Sequence, residues 1–350
     1  MAIPDQTLLS EEPNPRMGKM IVRTRSGRRD LRALWWDEGA VKAIDQKLLP
    51  SRFKILRIKD YRQMAKAIKD MTIRGAPSIG AAAAYGIALA WHANEDLDRA
   101  AKVMKATRPT AHDLFYAVDR MLLRRREDLV KAANDYADSI VSMCRSIGEH
   151  GARLVRDSDR ILTHCNAGAL ATVDFGTALA PLRVAHRQGK KIFVYVDETR
   201  PRLQGAKLTA WELLNEGVDH AIIPDNAAGH FLKDSVDIVI VGADRVARNG
   251  DFANKIGTYE KAVLAKENGV PFYVAAPVST FDFSIRSGGL IPIEERSEDE
   301  VLFVGDCRVA PKGSPALNPA FDVTPHKYVK GFVTEIGVLR PSDISRLRRT

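Results

Sequence analysis

Apolar runs with strand character alternate with amphipathic stretches through the second half of the chain. The clearest unit spans Asp237 to Pro277. Ile238–Val241 is apolar and β-branched, as expected of a strand buried on both faces. A polar, glycine-punctuated loop follows from Gly242 to Gly250 and carries Asp244 and Arg245. From Asn254 the spacing of Ile256, Tyr259, Val263 and Leu264 predicts a helix, with Gly269 as its stop. Phe272–Ala275 reads as the next strand. The same order recurs upstream. Ile161–His164 ends at Cys165 and leads to a helix from about Ala169. Ile192–Val196 ends at Asp197-Glu198-Thr199-Arg200, with a helix reaching Leu214. Ala221–Ile223 ends at Pro224-Asp225-Asn226. Repeated strand–helix order implies a parallel sheet with helices on both faces and right-handed crossovers. The polar strand ends Cys165, Glu198, Asp225 and Asp244 are expected on one rim, with Asn254 and Lys255 at the helix start beside it.

The first half has a different pattern. Met20–Arg23 and Leu31–Trp36 read as short strands, and Asp60–Met71 as an amphipathic helix with Tyr61, Met64, Ala65 and Ile68 on one face. Ile79–Trp91 is apolar throughout and rich in Ala and Gly, which suits a closely packed buried helix. It is too short to span a bilayer. Before it stands Arg74-Gly75-Ala76-Pro77, a turn and helix start whose free amides beside a guanidinium make an anion site. Arg108 lies on a second such turn, with Thr110 as N-cap of a helix from Ala111 to Leu129. Arg124, Arg125 and Arg126 would then splay around that helix, and together with Arg346, Arg348 and Arg349 they read as solvated surface, not a nucleic-acid groove. The chain therefore divides into a smaller, mostly helical N-terminal domain over residues 1–158, with a short strand region, and an α/β parallel-sheet domain over 159–350.

Composition narrows the chemistry. A formal charge of +9 favours anionic ligands. Three cysteines, far apart, argue against a disulfide framework and for a reducing compartment. No CxxC or HExxH spacing occurs, so no zinc site is expected, and no GxGxxG follows a first strand, which disfavours a dinucleotide. Met1–Arg16 lacks the apolar stretch of a signal peptide. Cys165 is either a small core residue or a thiolate favoured by the amides of a helix start. His164 is a poor partner base, because adjacent strand residues face opposite ways. A thiol and a carboxylate on one rim, with arginines from the other domain, suggest acid–base work on a phosphorylated small molecule.

Several longer motifs are more specific. RGAPSIGAA at Arg74–Ala82, TRPTA at Thr107–Ala111, HCNAGALAT at His164–Thr172, ETRPRLQGAKLTAWEL at Glu198–Leu213, GADRVARNGDFANKIGTY at Gly242–Tyr259 and NPAFDVTP at Asn318–Pro325 resemble the methylthioribose-1-phosphate isomerase family. The resemblance runs from about Arg23 to Leu339. It implies a Rossmann-like C-terminal domain under a helical N-terminal one, and a cytoplasmic homodimer using neither metal nor organic cofactor. It implies conversion of a sugar 1-phosphate, an aldose, into its ketose in methionine salvage, with no nucleic-acid or membrane partner. It places substrate contacts at Arg74, Gly75, Ala76, Arg108, Gln204, Asn254 and Lys255, and catalysis at Cys165 and Asp244. The wider superfamily also contains ribose-1,5-bisphosphate isomerases and non-enzymatic regulatory subunits of a translation initiation factor complex. Departures from the family pattern fall at Ser78, at Asp174-Phe175-Gly176, at Asp225–Ala228 and in an insert at Asp306–Ser314. They leave open which group is accepted at C5: methylthio, methyl, or both.

Overall fold

The computed structural model describes residues 19–24, 27–108, 112–345 and 347. The expected cap Thr110, the leading segment Met1–Arg16 and the tail residues Arg346, Arg348 and Arg349 lie outside these. The central sheet has seven strands. From one edge they run Gly337–Leu339, Gly331–Thr334, Phe272–Ala275, Ile238–Val241, Arg160–Thr163, Phe193–Asp197 and Asp219–Ile223. All neighbours are parallel except the closing hairpin of Gly331–Thr334 with Gly337–Leu339. In chain order the parallel strands stand 3-2-1-4-5-6, the doubly wound, Rossmann-like arrangement. Ile238–Val241 is buried at every position, as its unbroken apolar run requires.

The N-terminal part holds a three-stranded antiparallel sheet, Leu34–Asp37, Ala40–Ile44 and Ile55–Ile58. Its helices are Tyr61–Lys69, Ala76–His92, Leu97–Lys105, His112–Leu123 and Leu129–Ala152. Every residue from Ser78 to Ala90 is buried. The small residues there allow close approach: a Cβ on Gly80 would lie 3.0 Å from Tyr136 Oη, and one on Gly86 would lie 2.8 Å from Met104 Cε. Leu129–Ala152 packs on Leu179–Arg187 through Gly148 and Gly151, which meet Val184, Ala180 and Pro181. No helix among the described residues is long and apolar enough to cross a membrane.

Three elements differ from the sequence reading. The helix expected over Ala111–Leu129 ends at Leu123, and a second begins at Leu129. Asp128 forces the restart, accepting hydrogen bonds from the amides of Val130 and Lys131. Arg124 and Arg125 sit in the intervening turns and pair with Glu127 and Asp98, so they do not splay around a helix.

Asn254 and Lys255 do not start a helix. They end a strand, Phe252–Lys255, that forms a hairpin with Arg245–Ala247 and pairs on its other side with Phe321–Thr324. Arg248-Asn249-Gly250 makes the hairpin loop: the Gly250 amide donates to the Ala247 carbonyl at 2.8 Å, and Gly250 stands at φ +88°. The helix begins at Thr258, after Gly257 at φ +98°.

Beyond Cys165 there is a single 3₁₀ turn, Ala169–Ala171, and the α-helix waits until Leu179. Side chains explain the delay. Thr172 Oγ1 accepts from the Gly176 amide, and Asp174 Oδ1 accepts from the amides of Phe175 and Met20.

Candidate active site

Strands Arg160–Thr163 and Ile238–Val241 are neighbours, yet the chain leaves them in opposite directions across the sheet. A crevice opens at such a switch point. Cys165 follows the first of these strands and Asp244 the second. Both line a cavity of about 150 Å³. Arg74, Gly75, Ala76, Arg108, Gln204, Asn254 and Lys255 line the same cavity, so every contact and catalytic position that the family resemblance implied converges there.

Arg74 is held by one residue. Its Nη1 donates to Asn166 Oδ1 at 2.7 Å and its Nη2 to the Asn166 carbonyl at 2.6 Å. Asn166 is fixed in turn, its Nδ2 donating to Glu212 Oε1 at 2.9 Å and Thr209 Oγ1 at 3.1 Å. Gly75, at φ +91°, begins the Ala76–His92 helix. A Cβ there would lie 2.4 Å from the Ala171 carbonyl oxygen, so only glycine lets this helix start reach the rim. Arg108 is part-buried and pairs with Glu294 at 3.3 Å.

Cys165 has a left-handed backbone, φ +65°. Two threonines hold it: the Cys165 amide donates to Thr199 Oγ1 at 2.9 Å, and Thr209 Oγ1 donates to the Cys165 carbonyl at 2.6 Å. For a non-glycine residue this conformation costs about 1–3 kcal/mol and persists only where surroundings enforce it. Burial pushes the Cys165 thiol up, opposed by the charges of Arg74 and Lys255. The amides that the sequence reading assigned to this thiol are occupied: Glu212 accepts from Ala169 and Leu170. Burial also pushes the Asp244 carboxyl up, against Lys255 and Arg74. It pulls the Lys255 amine down. Lys255 Nζ donates to the Ala320 carbonyl at 2.7 Å and lies 4.5 Å from the Phe321 ring centre. Gln204 is buried, and its Oε1 has no protein partner among the described residues, which leaves an acceptor for a ligand hydroxyl.

Glu198 and Asp225 were expected on this rim and do not line the cavity. Asp225 instead caps the amides of Thr199 and Arg200 at 2.7 and 2.6 Å. Arg200 and Arg202 also point elsewhere, to the Val301 carbonyl and to Glu300. Arg245 does line the cavity, 3.7 Å from the Asp282 carboxylate. Sequence reasoning missed the wall formed by Ile291, Pro292, Glu294 and Arg296, and also Met71. Nothing in the local pattern of Ile291–Arg296 marked it as more than a loop. The departures have structural roles. Ser78 Oγ donates to the Leu170 carbonyl and accepts from the Val173 amide. Asp306 lies between the short paired strands Phe303–Val304 and Cys307–Arg308, away from the cavity.

Comparison with known proteins decides the lineage. The initiation factor 2 subunit family matches residues 72–341. The chain belongs to this family. The matched stretch contains every cavity residue named above except Met71. Within the family, a methylthioribose-1-phosphate isomerase of Acetivibrio thermocellus is 50% identical over 332 residues, covering 89% of this chain and 97% of that protein. A protein of the same name from Roseiflexus castenholzii is 49% identical over 343 residues, covering 91% and 97%. Among solved structures, 5-methylthioribose 1-phosphate isomerase from Pyrococcus horikoshii OT3 is 45% identical with a TM-score of 0.84, covering 90% of this chain and 94% of that one. The translation initiation factor eIF-2B, subunit delta, from A. fulgidus is 42% identical with a TM-score of 0.82, covering 91% and 100%.

Proposed function

We propose that this chain is an aldose–ketose isomerase that converts 5-methylthioribose 1-phosphate into the corresponding ribulose 1-phosphate in methionine salvage. One observation carries the reading: the Asp244 carboxyl, the part-buried Cys165 thiol and the cationic Arg74 and Lys255 converge on one cavity, in a chain half identical to isomerases of that name. The substrate's anomeric oxygen carries phosphate, so its ring does not open spontaneously to an aldehyde. An acid must protonate the ring oxygen as the C1–O bond breaks. Asp244 is that acid: desolvation raises its carboxyl above the ordinary value, the direction a general acid needs, against the charges of Lys255 and Arg74. Arg74, the amides after Gly75, and Arg108 hold the phosphate and so orient C1 and C2. Gln204, Asn254 and Lys255 contact the sugar. Hydrogen then passes from C2 to C1. As a thiolate, Cys165 takes the C2 proton and yields an enol phosphate; as a thiol, it lines a dry cavity for a direct hydride shift. Deuterium at C1 of ketose formed in D₂O marks the enol route.

The chemistry uses no metal or organic cofactor, and the reading places the protein in the cytoplasm as a homodimer. Asp219–Ile223 supports the last point: it is an edge strand of the central sheet, and Ile222 and the nearby Leu214 are exposed there.

The test is ketose formation from three 1-phosphates side by side: 5-methylthioribose, 5-deoxyribose and ribose 5-phosphate. The first two are expected to turn over faster, because Met71, Ile291, Pro292 and Phe321 give the cavity apolar walls. Faster turnover of ribose 1,5-bisphosphate would assign Arg245 or Arg296 to a second phosphate and overturn the C5 preference. No ketose from any of them would favour a non-enzymatic subunit.

A further inference from the structure

Glu294 lines the cavity, and the chemistry above gives it no role. Its backbone is fixed. The Ala320 amide donates to the Glu294 carbonyl at 2.8 Å, and the Arg296 amide donates to the Asn318 carbonyl at 3.0 Å. Asn318 and Ala320 lead into strand Phe321–Thr324, which pairs with the hairpin strand carrying Asn254 and Lys255. The wall thus presents the Glu294 side chain to the cavity from a firm base.

The two carboxylate oxygens serve different arginines, both of which line the cavity. Oε2 accepts from Arg108 Nη2 at 3.3 Å, and Oε1 accepts from Arg296 Nε at 3.3 Å. Arg296 belongs to the same wall, with its Nη1 also 3.7 Å from Met71 Sδ and 4.0 Å from Glu300 Oε2. Arg108 comes from the N-terminal part, ahead of helix His112–Leu123. The two arginines assigned to the phosphate are therefore held in opposite ways. Arg74 is gripped at 2.7 and 2.6 Å by the neutral Asn166. Arg108 is held by an anion, and its contact is longer than the roughly 2.7–2.9 Å that a charge-assisted bond prefers. A phosphate offers the same kind of acceptor with more oxygens and more charge. The Arg108 and Glu294 side chains are 15% and 26% exposed, so solvent does not dissolve their pairing. Losing Arg108 would still leave Glu294 on Arg296, so the exchange strands no carboxylate.

We propose that Glu294 is the resident counter-anion of Arg108: the substrate's phosphate displaces it on entry, and it takes the arginine back as the ketose phosphate leaves. Glu294 thereby weakens the hold on phosphate that the bare arginines would have, and it eases product release. This inference rests on the reading of Arg108 as a phosphate contact.

Inorganic phosphate is the probe, titrated calorimetrically into the full chain. Glu294→Gln keeps the shape and removes the charge. It should bind phosphate roughly three- to tenfold more tightly than the parent, because a part-buried ion pair no longer has to be broken. Glu300→Gln removes the same charge from a carboxylate that pairs with Arg202 and Arg296 but does not line the cavity. It should stay within about twofold of the parent. Removing a merely structural staple would loosen the wall and weaken phosphate binding, so tightening separates the two roles. Equal or weaker binding by Glu294→Gln overturns the proposal. So does equal tightening in Glu300→Gln, which would reduce the effect to net charge, and so does an absence of phosphate binding in both parent and Glu294→Gln. KM for 5-methylthioribose 1-phosphate should fall by a similar factor in Glu294→Gln, since the cost removed is common to substrate and transition state. An active variant whose KM does not fall overturns the proposal. A parent that binds phosphate yet forms no ketose would refute the proposed function instead and leave the calorimetry to decide this inference. Should Glu294→Gln fail to fold, Glu294→Ala takes its place with the same expectation.

Discussion

Replacing Arg74 by lysine keeps the charge and removes the fork. In the parent, two guanidinium nitrogens reach two oxygens of the same residue, at 2.7 Å for Asn166 Oδ1 and 2.6 Å for the Asn166 carbonyl. A single ammonium cannot span both while facing a phosphate. The variant therefore loses at least one charge-assisted hydrogen bond in a buried place, about 1.5–3 kcal/mol. If the loss falls on the bound complex, kcat/KM drops roughly 10–150-fold, since about 1.4 kcal/mol is tenfold. The assay is ketose formation over a range of substrate, with inhibition by inorganic phosphate measured in parallel. Both should weaken together, because both depend on the aim of the same cation. Asn166→Ala supplies the second leg of a double-mutant cycle. If Arg74 acts through its hold on Asn166, the double variant should lose no more than about threefold beyond the worse single one, a clear departure from additivity. Retention of kcat/KM within threefold in Arg74→Lys, or an additive loss in the cycle, would refute the reasoning.

Other outcomes follow from the same geometry. Asp244→Asn should lower kcat on the order of 10²–10⁴-fold, the usual contribution of a general acid. It should also resist urea better than the parent at pH 7. Burial raises the folded-state carboxyl above its ordinary 3.8, so the ionised form weakens the fold above that raised value and the penalty disappears as pH falls toward 3.8; equal stability of the two proteins at pH 7 would contradict the assignment. Arg108→Ala should lose phosphate inhibition and about 10–150-fold in kcat/KM, and unchanged inhibition would remove Arg108 from the phosphate site. Asp251 is held down to about 2, with burial opposing the hydrogen bonds it accepts from His326, Asn249 and Gly288. Its contribution to stability is full above the ordinary carboxyl value and is lost as pH falls through about 2. Urea midpoints of parent and Asp251→Asn should therefore differ at pH 6 and converge near pH 2.

The parallel sheet was legible because unbroken apolar runs such as Ile238–Val241 need burial on both faces. Cys165 and Asp244 were legible because each closely follows an apolar strand run, though the same rule also named Glu198 and Asp225, which do not line the cavity. The hairpin carrying Asn254 and Lys255 was misread although Asn249-Gly250 signals a hairpin loop, which here runs over Arg248-Asn249-Gly250. The helical spacing of Ile256, Tyr259, Val263 and Leu264 was given priority, and Tyr259 proves to be exposed. The late helix after Cys165 was hidden for another reason. Thr172 and Asp174 compete for backbone amides through their side chains, which hydrophobic periodicity does not register. The wall from Ile291 to Arg296 reaches the cavity by tertiary packing alone, and the grip of Glu212 on Asn166 joins residues that only the fold brings together.

The approach of Gly75 to Ala171 also shapes how the protein is made. The Ala76–His92 helix has its apolar interior finished early, yet the backbone that covers its start, near Leu170 and Val173, is translated much later. At roughly 5–20 residues per second, synthesis from Arg74 to Val173 takes on the order of 5–20 s. During that interval the start of the alanine-rich helix lacks its cover, while the rest of it can already pack against His112–Leu123 and Leu129–Ala152. The acid and the thiol cannot meet until the ribosome has delivered Asp244 and the hairpin behind it. The catalytic pair is thus assembled late, on a first half that must wait, unaggregated, for its cover.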